Sequence, residues 1–199
     1  MHPFELESQQ HSVESKLVVA LERISEAFRV MLWQQSKAQG LSPIQIQILI
    51  FCRFHHQAMC KVGYLASEFN MTKATISDSV KVLEKKGLIG KETEPEDSRS
   101  YLIKITAEGE RLLQKIAPFA NEMIAAVQGL SSLEKINMFS GLLRVIHHLN
   151  EKGIISIQRM CHTCRFYERS MQGPYCNFLE QPLRDKDLRI DCPEYEGKG

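Results

Sequence analysis

With 199 residues and 43% apolar content, the chain can hold one domain of ordinary size plus a small appendage. A formal net charge of +1 excludes a broadly basic surface, so any affinity for a polyanion has to come from where the cations sit. No apolar run approaches the roughly 20 residues of a membrane span, and the first ten residues are polar and acidic, so no membrane association and a cytoplasmic location with reduced thiols are expected.

Residues 1–11 carry no periodicity and read as a mobile arm. Ser12 or Ser15 can cap a long helix in which Leu17, Leu21, Ile24, Phe28 and Met31 step by four, three, four and three. It runs to about Gln39 and Gly40, and it either covers a core or covers it and also builds a dimer interface. Ser42-Pro43-Ile44-Gln45 opens a second helix, with Ser42 as cap, Pro43 at the first helical position and Gln45 reaching back to the cap amide. The helix continues through Ile46, Ile48, Leu49 and Phe51 to about Phe54, and its broad apolar face predicts central burial. After the polar break at His55, His56 and Gln57, residues 61–69 supply a short helix with Leu65 and Phe69 inward. Lys61 and Ser67 are left as phosphate contacts.

A third helix starts at the cap Thr72, and Ile76, Val80 and Leu83 form its apolar stripe. Gly87 marks its end. The opposite face carries Lys73, Thr75, Ser77, Asp78 and Lys81, short donors and acceptors beside cations. That chemistry suits base edges and phosphates in a major groove, although a charged helix face is more often simply solvated. Residues 88–92 and 101–105 then read as two strands joined by the polar turn 94–100, whose Pro95 cannot donate to a ladder. Helix and hairpin together predict a recognition helix followed by a wing, with Arg99 at the tip able to reach a minor groove. Between Lys61 and Arg111 nine cations are offset by nine anions, so binding to DNA would depend on placement and on dimerisation.

Leu83-Glu84-Lys85-Lys86-Gly87-Leu88-Ile89, then Asp97-Ser98-Arg99, then Leu102 to Thr106 and Gly109 resemble the MarR (multiple antibiotic resistance regulator) family of winged helix-turn-helix regulators. The resemblance covers about 40 residues. It implies a homodimer on a pseudo-palindromic double-stranded DNA operator, with Arg99 in the minor groove, Asp97 bracing the wing and a small-molecule effector. Asp78 stands where many relatives place an arginine, so base preference does not carry over.

Beyond the wing, Thr106 caps a helix through Leu112, Leu113, Ile116, Phe119, Met123 and Val127, which Pro118 should kink or interrupt. Ser131-Ser132-Leu133-Glu134 is a capping box opening the last long helix, which closes near Gly153. The expected fold is mainly α with a small β-wing. A winged-helix dimer domain spans residues 1–153, with its DNA-binding core at 42–106 and dimerisation helices at 12–40 and 107–153. The pairs His55-His56 and His147-His148 are read as polar or interfacial, because adjacent helical residues do not share a face.

Residues 154–199 form a separate four-cysteine tail, Cys161-x2-Cys164-x11-Cys176-x15-Cys192, which the resemblance does not explain. So short a segment cannot bury enough apolar surface by itself, so a metal staple is expected. Zinc held tetrahedrally by four thiolates is the first reading. An iron–sulfur cluster on the same cysteines is the alternative, favoured by the wide second spacing and the closing Cys192-Pro193. His162 is expected to face outward. Cys52 reads as core, and Cys60 as a thiol-sensor candidate.

The function that follows is a homodimeric, sequence-specific DNA-binding transcriptional regulator, a repressor modulated by a ligand or by the metal or redox state of the tail. The alternative is an iron–sulfur redox or electron-transfer protein that uses its winged helix as an interaction module. No phosphate loop, nucleophile elbow or paired His-Glu motif points to an enzyme.

Overall fold

The computed structural model describes residues 2–94, 97–171 and 173–198, without the side chains of 94–99. The chain folds mostly into helices, in the order α1 (Leu6–His11), α2 (Val13–Gln39), α3 (Pro43–Phe54), α4 (Val62–Glu68), α5 (Lys73–Lys85), strands β1 (Ile89–Glu94) and β2 (Asp97–Ile105), then α6 (Ala107–Ile116), α7 (Asn121–Gln128) and α8 (Ser132–Glu151). The tail adds a three-stranded antiparallel sheet of β3 (Tyr167–Ser170), β4 (Gly173–Cys176) and β5 (Gln181–Pro182).

The helix starts follow their local chemistry. Ser12, Thr72 and Thr106 each accept a backbone N–H three residues on. Ser42 with Gln45 and Ser131 with Glu134 form complete capping boxes. Pro118 divides the region after the wing as expected, with one 3-10 turn at Ala117–Ala120 between α6 and α7. The first residues differ from expectation. Instead of an arm without structure there is α1, whose Ser8 is buried and bonds Glu5; its six residues are too few for periodicity to reveal.

The main core gathers Ile46, Ile48 and Leu49 of α3, Leu65 of α4, Ile76, Val80 and Leu83 of α5, and Ile103 of β2, all with no exposed surface. A second, smaller core lies between α8 and the tail, where Leu143, Met160, Leu183 and Leu188 pack with Phe139 and Ile146. The tail therefore completes its interior by borrowing one face of α8.

Candidate nucleic-acid interface and the cysteine tail

The stripe Ile76, Val80 and Leu83 seats α5 on the core, and the turn before it is fixed by the Met71 N–H donating to the Ala66 carbonyl at 2.8 Å. The geometry leaves Thr72, Lys73, Thr75, Asp78 and Lys81 exposed on one face, with Ser77 half-buried beside them and Lys61 half-buried at the start of α4. Not all of these groups are idle. The Thr72 hydroxyl caps the helix by accepting the Thr75 N–H at 3.1 Å. Lys81 donates to the Asp78 carboxylate at 2.9 Å, and that bond and charge hold its pKa above the ordinary lysine value. Asp78 therefore occupies Lys81 in the free protein, a pairing at i, i+3 that the sequence reading had not drawn.

The wing is placed next to α5 by long-range contacts. β1 and β2 pair Ile89 with Ile105, Lys91 with Ile103 and Thr93 with Tyr101, and the register breaks between Thr93 and Glu94. Lys91 donates to Glu84 of α5 at 2.6 Å and lies over the Tyr101 ring, while Lys104 pairs with Glu92 across the strands. Ile103 donates its N–H to the Cys60 carbonyl at 2.8 Å, and the Gln57 amide donates back to the Ile103 carbonyl at 2.7 Å. The backbone of Asp97 and Arg99 belongs to β2, but the side chains expected to brace and to reach lie outside the described residues.

In the tail, Cys161, Cys176 and Cys192 line one small cavity with Phe166, Phe178 and Leu183. Cys164, buried, sits one 3-10 turn beyond Cys161, and its N–H bonds the Cys161 carbonyl at 3.0 Å. All four cysteines are free thiols, close enough that Cys164, Cys176 and Cys192 each act on the charge of Cys161. Burial pushes the Cys161 and Cys192 thiols up, and the Arg189 backbone N–H, 3.2 Å from the Cys161 sulfur, opposes it. The Arg189 guanidinium approaches the Cys192 sulfur at 3.5 Å.

Two sequence expectations are corrected. His162 does not face out: it stacks on His147 of α8 with ring centroids 5.5 Å apart and meets Tyr167 edge-on, and burial lowers its pKa. Cys60 has no exposed surface and lies against Cys52, so an oxidant cannot reach it in the folded chain. Hydrogen bonding to Cys60 and burial push the Cys52 thiol well up. Cys52 is core, as expected.

One group escaped sequence reasoning altogether. Arg159 is almost wholly buried between the tail and the helix-turn-helix. Its guanidinium donates to Glu68 of α4 at 2.7 and 3.1 Å, to the Tyr64 hydroxyl at 2.9 Å and to Asp191 at 2.7 Å, over the face of Phe51. Burial opposes its charge, but Glu68, Tyr64 and Asp191 outweigh that and raise its pKa. Asp191 directly precedes Cys192, so one cation joins the cysteine pocket to the helix that positions α5. A lone arginine in a stretch without periodicity gives no signal of this.

A two-helix reading unit on a shared core, with a two-stranded wing at its side and long helices before and after, defines a winged helix-turn-helix protein. Residues 39–100 match the family model described as MarR family. Among curated relatives, the transcriptional regulator HosA of Escherichia coli O111:H- is 33% identical over 73 residues, 37% of this chain and 54% of HosA. The chain thus spans about half the length of HosA. The HTH-type transcriptional repressor YetL of Bacillus subtilis (strain 168) is 28% identical over 128 residues, 64% of this chain and 77% of YetL. Among solved structures, an S. aureus MepR–DNA complex matches with a TM-score of 0.58 and 23% identity, covering 66% of this chain and 97% of MepR. A MarR-family regulator from Silicibacter pomeroyi matches at 0.59 and 20% identity, covering 77% and 99%. These structural likenesses establish the fold.

Proposed function

We propose that the chain is a homodimeric, sequence-specific DNA-binding transcriptional regulator acting as a repressor. The observation that carries this reading is the exposed polar face of α5, held rigidly on a fully buried stripe with the wing fixed beside it. Lys73, Thr75, Ser77 and Asp78 then meet base edges and phosphates in the major groove, Lys61 approaches the backbone, and Arg99 anchors in the minor groove. The match of residues 39–100 to the family model supports it, as does the role of YetL as a repressor. A second copy is supported by α2 and α8, which leave an apolar cleft of about 760 Å³ open between Leu17, Leu21 and Ile24 on one side and Met138, Leu142 and Val145 on the other. A dimer sets two reading heads on successive major grooves about 34 Å apart, which an effector entering between helices would disturb.

The test is selection of duplexes from a random pool, followed by salt titrations of the best one. Arg99→Ala is expected to weaken binding about tenfold or more, and to lower the salt slope by about two, one for each protomer. A pool that yields no enriched duplex overturns the reading, and unchanged affinity in Arg99→Ala removes the wing tip from it.

A further inference from the structure

We propose that the cysteine pocket of the tail binds an iron–sulfur cluster through Cys161, Cys164, Cys176 and Cys192. The inference is independent of the DNA-binding reading. A single zinc ion would draw four sulfurs to about 2.3 Å from one point, which puts neighbouring sulfurs within about 4 Å of each other. Among the described residues no three His, Cys, Asp or Glu side chains converge in that way, although all four cysteines are described. Three of them instead stand around a shared cavity, with the fourth buried one turn away. Cysteines set around a cavity suit a polynuclear cluster, because they bind different iron atoms rather than a common one.

The surroundings suit the same ligand. Phe166, Phe178 and Leu183 form the apolar part of the cavity wall, which Asp187, Arg189 and Glu194 complete. The Arg189 backbone N–H already points at the Cys161 sulfur, and its guanidinium at the Cys192 sulfur. Hydrogen bonds to sulfur and restricted solvent are what stabilise such a cluster and tune its potential. Four thiols ligating as thiolates release their protons to water and leave an anionic centre, which the guanidinium of Arg189 faces. Glu194 accepts from the same guanidinium at 2.8 Å and from the Cys192 thiol at 3.4 Å, a bond that Cys192 gives up when it ligates as a thiolate. The sequence agrees: one close pair, Cys161 and Cys164, is followed by two cysteines set 11 and 15 residues apart, rather than by the second close pair usual in a zinc module.

The full chain, purified under nitrogen without a histidine tag from cells supplied with iron, provides the test. Brown protein is expected, with broad visible absorption, iron and acid-labile sulfide in equal amounts, and a paramagnetic signal after reduction by dithionite. Cys176→Ser should lose both iron and sulfide, whereas Cys60→Ser should keep both. Colourless protein carrying one zinc per chain and no sulfide overturns the proposal, and so does protein free of metal. If Cys176→Ser fails to fold, metal and sulfide analysis of the unaltered chain still decides the matter.

Discussion

Gly109 shows how tightly a single atom is specified where the wing meets the helix behind it. A Cβ built there would lie 2.2 Å from the Leu88 carbonyl oxygen and 2.8 Å from the Ile105 side chain. The carbonyl cannot yield easily, because it accepts the Thr106 N–H that closes the turn. Gly109→Ala is therefore expected to cost about 1–3 kcal/mol, the range for overpacking a well-filled site, read as a lowered denaturant midpoint at unchanged slope. Asp78 matters at the same scale for binding. Its carboxylate holds the Lys81 ammonium, so Asp78→Asn should free one cation per protomer for a phosphate. The salt slope of duplex binding should then steepen by about two for the dimer. Weaker binding at an unchanged slope would instead show that Asp78 itself contacts a base.

Among the elements, those with local causes were legible from residues alone. Caps at Ser42, Thr72, Thr106 and Ser131 act within three residues, and the stripe of α5 repeats within one helix, so pattern reading reached them. The hairpin was legible too, although β2 begins at Asp97, four residues earlier than its alternation suggests. What could not be read depends on distant partners. Arg159 meets residues 91, 95 and 32 positions away, and His162 turns inward only because α8 offers His147 for stacking. The Arg159 junction predicts how the tail is attached to α4. Arg159→Met keeps the stem but strands Glu68, whose side chain is only 18% exposed, and should cost about 2–4 kcal/mol. Adding Glu68→Gln should recover part of that loss, because it removes the stranded charge. A double-mutant cycle by thermal denaturation measures the coupling, and strictly additive effects would show that the ion pair holds nothing together.

For the whole molecule, α8 is the organising element because its two long faces have different fates. One face, with Phe139, Leu143 and Ile146, is covered by the tail. The other, with Met138, Leu142 and Val145, looks into the cleft shared with α2, where Leu17 and Leu21 remain 58% and 37% exposed. An apolar opening of that extent is far from what an isolated chain keeps in water, and a second copy related by a twofold axis would cover it symmetrically. Leu21→Glu places a charge on the wall of the cleft without touching the core that seats α5. Sedimentation velocity should show the unaltered chain as a dimer and Leu21→Glu as a monomer with the same helical content. Because one reading head keeps only half of the phosphate contacts, the monomer should bind its selected duplex orders of magnitude more weakly, with about half the salt slope. A Leu21→Glu chain that stays dimeric would place the interface elsewhere. A monomer that binds DNA as well as the unaltered chain would instead break the link between this cleft and the spacing of the reading heads.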